Sequence, residues 1–430
     1  FVGVYNTDIK ENNAFLYFAR HFHEKKLPVP EVLYVNFEKD VYFLEDLGDT
    51  TLYQSLKQND LSFSDEIIKH YKLVINDLIS FQITGTQDVS FDLCYPRAQF
   101  DKQSILWDLW YFKYYFLKLA RTDFDEQNLE DNFNYLVDIL LQANYNYFMY
   151  RDFQSENIMI KENKPYYIDF QGGRQGSLFY DLASLLYDSK VNMPFNIKEE
   201  LSQVYLAKAI QLKITDKKEI SHYYHYFILI RLLQAMGAYG FRGIYEKKAQ
   251  FLRSIPFALR DLNDILNHYS WDPKIEYLIH TLKKMLTSRH LAKYNPEQFN
   301  KKISVQITSF SYNGRIPEHI PDIRSFFFDC RLIGGSYNIG LNKKLTGLDE
   351  EVKLLLLKDT EVLEFLKGVY SILENALMCR DVNKIMVNFG SQNGRHRSVF
   401  CAESLKLHLK EIYKLEVSTH HFTLEKDSMS

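Results

Sequence analysis

Apolar positions recur every second residue at a few places in the chain and at helical spacing along most of it. Phe1–Tyr5 (FVGVY) alternates as a strand does, and Glu11–Glu24 then sets Phe15, Phe18 and Phe22 on one helical stripe. LPVPE breaks the chain, and VLYVNFEKDVYFLEDLGD reads as a hairpin running into a short connector. The N-terminal part is therefore strand, helix, strand, strand. From Leu52 to about Ala143 the spacing is mostly helical. SILWDLWYFKYYFLKLA is so aromatic along its length that it predicts a helix buried on more than one face. Helices resume at Leu178 and run to about Lys293, with breaks predicted at NMP and SIPF.

KYNPEQFNKK is polar, carries a proline and reads as a linker. Beyond it the character changes. ISVQITSFSY and RSFFFDCRL are strand-like; a Gly/Asn-rich loop, two helices, KIMVNFG, a further helix and EVSTHHF complete an α/β pattern. There is no internal repeat and no low-complexity tract.

Length and composition narrow the classes. A chain of 430 residues accommodates two or three domains with sizeable cores. A net charge of −3 provides no overall positive field to recruit nucleic acid or an acidic membrane. The four cysteines, Cys94, Cys330, Cys379 and Cys401, include no CxxC pair, which removes zinc-type spacing and fits a reducing cytoplasm. No apolar run approaches the roughly 20 residues of a membrane span. The chain opens on FVGVY, a strand already under way with no initiator Met, which implies that a native N-terminal segment precedes it.

The stretch MYRDFQSENIMIKENKPYYIDFQGG, Met149–Gly173, carries the chemistry. NIMIK and PYYIDF are short β-type runs on either side of the turn residues ENK. Folded as a hairpin about Asn163, they bring Asn157 and Asp169 together at the open end, with Asp152 in the loop just before. Three oxygen-bearing side chains on one spot suit Mg²⁺, which takes one or two protein oxygens and completes its shell with nucleotide phosphates. An Asp, an Asn five residues on and a later Asp on the metal is the recurring layout of phosphoryl transfer. The alternative is that each is an ordinary turn or cap residue.

On these residues the chain resembles the aminoglycoside-phosphotransferase and choline-kinase-like family, a branch of the protein-kinase-like fold. The family motif H-x-D-x-x-x-x-N, followed by a strand-end I-D, reads here Tyr150-Arg151-Asp152 through Asn157, then Ile168-Asp169. The resemblance implies an ATP- and Mg²⁺-dependent kinase with Asp152 as catalytic base and Asn157 and Asp169 on the metal. YDLASLL would place Asp181 as a brace for the catalytic loop, and Tyr150 stands at the scaffolding position of the usual His. The backbone of Glu45, Asp46 and Leu47 in YFLEDLGDTTL would hold the adenine as the hinge between lobes, and Glu11 opens a helix facing the nucleotide. The glycine-rich nucleotide loop is missing from this chain, and FVGVY has no phosphate-binding lysine. LEDLGDTTL, YRDFQSENIMI and IDFQGGRQGSLFYDLASLLYD look most like the family's cell-wall amino-sugar kinases, which phosphorylate N-acetylmuramate and N-acetylglucosamine at the anomeric hydroxyl. Asp101 and Asp108, with Trp107 and Trp110, would then form a sugar-binding wall, unless that segment is simply a packed aromatic helix.

A second constellation is NFGSQNGRHRSVF, Asn388–Phe400, a strand end, a glycine-bearing loop and a helix start. Such a loop aims backbone N–H groups at an anion, and Arg395, His396 and Arg397 add charge. The spacing from Ser391 to Arg397-Ser398 resembles the C-x5-R-S loop of tyrosine phosphatases. A serine without a nearby base is a poor nucleophile, so the loop reads as binding rather than cleaving. SFSYNGRIP, FFFDCRL, LTGLDEEV, GRHRSV and the final HHF, spanning Ile303 to Phe422, resemble the C-terminal domain of the RNase adapter RapZ family. That resemblance implies a domain that senses glucosamine 6-phosphate and engages RNA and protein partners, with ligand contacts at Gly394, His396, Arg397 and Ser398 and with Arg331 nearby. The family's G-C-T-G-G reads here Gly390-Ser391-Gln392-Asn393-Gly394, and no GxxxxGK[ST] P-loop occurs.

The sequence thus predicts an α+β protein-kinase-like fold with a truncated small lobe and a mostly helical large lobe, followed by a small α/β domain. The small lobe and hinge take 1–50, the large lobe 51–293, a linker 294–302 and the second domain 303–430. The favoured reading is a cytoplasmic sugar kinase using ATP and Mg²⁺, with a phosphosugar-binding module and no membrane attachment. The competing reading is a nucleotide-gated scaffold whose C-terminal domain binds RNA or a protein.

Overall fold

The computed structural model describes residues 1–295, 303–321, 323–333, 345–377 and 383–429. Most of the predicted linker, the Gly/Asn-rich loop and Cys379 lie outside the described residues. The chain divides into two compact units, Phe1–Gly240 with Ser254–Ser288, and Phe241–Arg253 with Arg289–Ser430. The division thus falls a few residues before the predicted linker and assigns a short upstream segment to the second unit.

The first unit opens with β1 (Val2–Tyr5), helix α1 (Ile9–Glu24), β2 (Val32–Val35) and β3 (Val41–Leu44). The three strands form an antiparallel sheet in the order β1-β3-β2. Asp8 caps α1 by accepting from the N–H groups of Lys10 and Glu11. The predicted Phe stripe is buried. Phe15 stacks on Phe170 at 4.9 Å, while Phe22 meets Phe81, Phe148 and Phe170 edge-on. Helix α1 is thereby fastened, through aromatic burial worth several kcal/mol per ring, to the segments that carry the predicted site.

The helical lobe contains α2 (Leu52–Gln58), α3 (Asp65–Ile83), α4 (Lys102–Phe112), α5 (Glu126–Leu140), α6 (Leu178–Leu186), α7 (Phe195–Gln211) and α8 (Lys217–Ala238). Helix α4 ends in a π-helical turn, Lys113–Leu117, and packs closely on α8. A Cβ on Gly240 would overlap the carbonyl oxygen of Tyr115, so a residue without a side chain is needed for that approach. Helix α9 (Ala249–His268) runs through Pro256, where SIPF predicted a break. Its strongly one-sided apolar face outweighs the hydrogen bond that proline removes. Helices α10 (Glu276–Leu286) and α11 (Arg289–Ala292) follow in the chain.

Between these helices lie two short ribbons. One is β4 (Tyr147–Met149) with β7 (Arg174–Gly176); the other is β5 (Ile158–Lys161) with β6 (Lys164–Tyr167). Glu162 and Asn163 form the β5–β6 turn, with φ of 53° and 61°. Both central residues have positive φ, as a two-residue primed turn requires. Pairing is therefore centred between Glu162 and Asn163, not on Asn163. Asn157 lies opposite Ile168, whose N–H donates to the Asn157 carbonyl at 3.1 Å, and Asp169 is one residue beyond that pair.

In the second unit, β8 (Ser304–Ser311), β9 (Arg324–Asp329), β10 (Lys384–Ser391) and β11 (Glu416–His421) form an all-parallel sheet ordered β11-β8-β10-β9. Helices α12 (Glu350–Leu357), α13 (Thr360–Leu377) and α14 (Arg397–Tyr413) belong to this unit, and a terminal helix, Phe422–Met429, was not anticipated. Glu374 on α13 is fully buried. It accepts from Lys247 at 2.8 Å, lies 3.1 Å from His408 Nε2 on α14 and 3.6 Å from Lys293 Nζ. Lys247 and Lys293 lie upstream of β8, and this cluster is why the unit includes them.

Burial alone would raise the Glu374 carboxyl from its ordinary 4.5, but His408 and Lys247 hold it down to about 2. The folded carboxylate is thus favoured, and its contribution is present above pH 4.5 and lost as pH falls toward 2. Glu374→Gln should cost about 3–5 kcal/mol at neutral pH by stranding buried cations. Hydrogen-exchange protection of the β10 amides checks this, and the deficit should shrink as pH is lowered through that window.

Candidate active site

The loop from Tyr150 to Asn157 is shaped by a carboxylate and an arginine beneath it. Asp181, in the first turn of α6, is wholly buried and accepts from the N–H groups of Tyr150 (2.7 Å) and Arg151 (3.0 Å). Arg151 has φ of +82°, which a long side chain rarely adopts. Its side chain holds that conformation by donating to Asp108 Oδ1 and the Tyr180 hydroxyl, both at 2.6 Å, and by lying over the rings of Phe100 and Tyr180 at 5.1 Å. Strain of about 1–3 kcal/mol persists where several contacts over-determine the conformation. The Tyr150 hydroxyl donates to the carbonyl of Ile168 at 2.6 Å and so ties the loop to the residue preceding Asp169.

Asn157 makes the second tie. Its Nδ2 donates to the Asp152 carbonyl at 2.9 Å and to Asp169 Oδ2 at 3.1 Å. Gln171 Nε2 donates to the other Asp169 oxygen at 2.7 Å. Asp169 sits at φ +68°, beyond the end of β6, with its side chain open to solvent. Its carboxyl is raised above the usual value by the desolvating walls around it and by the charges of Asp152 and Glu11, against the lowering hydrogen bonds of Gln171 and Asn157. Asp152, Asp169 and Glu11 therefore share one field. Glu11 also accepts from Asn6 at 3.0 Å.

A cleft of about 400 Å³ opens beside this group, walled by Val2, Val4, Phe15, Pro30, Tyr42, Leu44, Glu45, Leu47, Gly48, Asn157, Met159, Ile168, Asp169 and Gln171. It is apolar along its length, with Asn157, Asp169 and Gln171 among its polar lining. The connector Glu45–Leu47 forms one edge. Lys161 pins it by donating to Glu45 Oε1 at 2.8 Å and to the Asp46 carbonyl at 3.1 Å, and the Glu45 N–H is taken by the Glu31 carbonyl at 2.9 Å. The Glu45 carbonyl and the Leu47 N–H have no protein partner among the described residues, which leaves an acceptor and a donor two residues apart.

The oxygen donors suit a hard divalent ion. Asn157 spends its amide protons within the loop, so its Oδ1 and the Asp169 carboxylate remain as ligands. No group of three His, Cys, Asp or Glu able to hold a metal occurs among the described residues. The pair therefore fits an ion that completes its shell with phosphate oxygens and water.

The predicted sugar-wall residues have partners of their own. Asp101 caps α4 through the Ser104 N–H and pairs with Arg97. Asp108 is buried on Arg151, Trp110 Nε1 donates to Glu130, and Trp107 is half-exposed under the Arg97 guanidinium. Arg151, the Phe15–Phe170 stack, Gln171 and the buried Arg174 were not singled out from sequence. Only the YRD triplet could have drawn attention to Arg151.

In the second unit the loop after β10 closes on itself. Ser391 is buried, its Oγ lies 2.9 Å from the Ser398 Oγ, and it accepts from the Gly394 N–H at 3.1 Å. Gly394 has φ of +64°, and a Cβ there would overlap the Thr423 hydroxyl. Arg397 donates to the Ile333 carbonyl, while Arg331 forks onto Asp329 and lies 3.9 Å over the Tyr312 ring. His396 precedes α14; burial, with the charges of Arg395 and Arg397, lowers its pKa, and its Nε2 is buried without a hydrogen bond.

Residues 8–209 match the phosphotransferase enzyme family, and residues 303–425 match the RapZ C-terminal domain. The chain is 24% identical over 251 residues to the N-acetylmuramate/N-acetylglucosamine kinase of Neisseria meningitidis serogroup B, covering 56% of this chain and 72% of that protein. It is 31% identical over 154 residues to the RNase adapter protein RapZ of Serratia proteamaculans, covering 35% of this chain and 51% of that protein. Among solved structures it is similar to a Plasmodium vivax ethanolamine kinase, at 13% identity and a TM-score of 0.41, over 61% of this chain and 74% of that one. The chain spans about half the length of the RapZ relative it matches. One stretch of the chain thus matches a phosphotransferase family and a later one, which folds as a small α/β unit, matches the RapZ C-terminal domain.

Burial pushes the Asp181 carboxyl up to about 7, against the lowering effect of the two N–H groups it accepts. The folded state then keeps a proton that the unfolded chain has lost, so stability falls as pH rises from about 4 to about 7. Asp181→Asn should remove that slope and weaken the loop at every pH, since an amide accepts only one of the two N–H groups well. Exchange protection of the Tyr150 and Arg151 amides, followed across that range, measures both effects.

Proposed function

We propose that the protein is an ATP- and Mg²⁺-dependent kinase that phosphorylates a hydroxyl of an N-acetylated amino sugar of the N-acetylmuramate or N-acetylglucosamine type. The observation that carries this reading is the convergence of Asp152, Asn157 and Asp169 at the polar end of an apolar cleft. The Glu45 carbonyl and Leu47 N–H would take the donor and acceptor edge of adenine. Asn157 and Asp169 would hold Mg²⁺, which when bound offsets the charge of the phosphates. Asp152, fixed through its carbonyl by Asn157, orients the acceptor hydroxyl and takes its proton as the new O–P bond forms. Asp181 keeps the loop in register. The acceptor class rests on the similarity to the Neisseria kinase. A reducing cytoplasm suits this role, and Cys94, Cys330 and Cys401 are free thiols; no described helix is long and apolar enough to cross a membrane.

In the second unit, the glycine-bearing loop, the N-terminus of the 17-residue α14 and the His396–Arg397 pair would bind a phosphosugar. The similarity to RapZ supports a second role for this module, binding RNA or a protein partner.

Asp152→Asn keeps the loop's backbone bonds but removes the base, so turnover should fall at least about 100-fold with ATP binding retained. Coupled ATP-consumption assays with both sugars measure this, and undiminished turnover would refute the assignment. For the second module, Arg397→Ala should weaken phosphosugar binding in calorimetry. Salt-dependent binding of structured RNA that Arg397→Ala abolishes would favour the RNA-binding role.

A further inference from the structure

We propose that Arg174 recognises an anionic substituent on the acceptor, so that the acceptor side of Asp152 is built for a carboxylate-bearing sugar rather than a neutral one. This inference rests on the sugar-kinase reading. Arg174 lies on β7, only 7% exposed, and its Nε donates to the Gly172 carbonyl at 3.0 Å. It makes no other hydrogen bond and no ion pair among the described residues. Among the other buried cations, Lys113 pairs with Glu126 and Glu130, Lys198 with Asp261 and Arg151 with Asp108, while Arg231 is spent on Ser184 and Gln234.

Arg174 lies beside the loop that carries Asp152. Its strand pairs with β4, Met149 opposite Arg174, and β4 runs directly into the loop of Asp152. Arg174 feels the charges of Arg151, Asp108 and Asp152. The walls of the 400 Å³ cleft include Asn157, Asp169 and Gln171 but not Arg174, Arg151 or Asp108. The arginine therefore lies off that cleft.

Of the two carboxylates in its field, Asp108 is paired with Arg151, and neither Asp108 nor Asp152 makes an ion pair with Arg174 among the described residues. Burial and the Arg151 charge press the Arg174 guanidinium down to about 10, which still leaves it charged at neutral pH. Its terminal nitrogens have no protein partner among those residues, and a carboxylate that accepts from them gains charge-assisted hydrogen bonds. N-acetylmuramate has such a carboxylate on its lactyl ether; N-acetylglucosamine has a hydroxyl there. An arginine without a direct ion pair would thus favour the first over the second.

The test compares kcat/KM of the wild type and of Arg174→Gln on the two sugars, with Arg174→Lys as the charge-retaining control. Gln keeps a donor for the Gly172 carbonyl, and thermal unfolding checks the fold. The preference for N-acetylmuramate should fall about 10- to 100-fold in Arg174→Gln, through KM, and recover in part in Arg174→Lys. An unchanged preference, or an equal loss of kcat on both sugars, would overturn the inference while leaving the kinase reading intact. If the wild type turns over neither sugar, the kinase reading fails instead. Calorimetric titration of N-acetylmuramate then decides: tighter binding to the wild type than to Arg174→Gln supports the inference, and equal or absent binding overturns it.

Discussion

A guanidinium taken out of water organises the catalytic end of this molecule. Arg151 is buried against Asp108, Tyr180 and Phe100, and its backbone is held in a left-handed conformation by Asp181. Neither feature survives without the other. The backbone strain is tolerated because the side chain is anchored, and the charge is tolerated because Asp108 is brought to it. Asp152 is the next residue in the chain, and its direction follows from that arrangement. The aromatic cluster of Phe15, Phe22, Phe148, Tyr150 and Phe170 then sets the neighbouring segment that carries Asp169.

Charge is divided across this site. On the cleft side burial and the charges of Asp152 and Glu11 raise the cost of ionising Asp169, a field that a divalent cation would relieve. Arg151 and Arg174 lie in the field of Asp108 and Asp152, and Arg151 alone pairs directly with one of them.

The second unit solves a different problem. Its loop after β10 turns tightly, and Ser391, Ser398 and Gly394 are consumed in making that turn. The hydroxyl standing where a phosphatase-like loop would carry its nucleophile is thus buried and occupied. His396 and Arg397 stand at the start of α14, the first with its Nε2 buried and the second bonded to the Ile333 carbonyl.

Local chemistry was readable from the chain because it depends on neighbours in sequence. The Phe stripe of α1 follows from helical spacing, the β5–β6 hairpin from the ENK turn, and the Asp152–Asn157–Asp169 group from a fixed count of residues across that hairpin. The exact turn centre was not readable, since Glu162 and Asn163 both adopt positive φ and either could lead. Nor was the continuation of α9 through Pro256, which its burial decides against local preference. Asp101 and Asp108 look alike in sequence, two acids on one aromatic helix. Only folding shows one capping that helix and the other neutralising an arginine 43 residues away. Arg174 is the clearest case. Sequence shows an arginine after two glycines; the tertiary structure alone buries it in the field of Arg151, Asp108 and Asp152 with no direct ion pair among the described residues, because charge balance is set by what packs around a group and not by what precedes it in the chain.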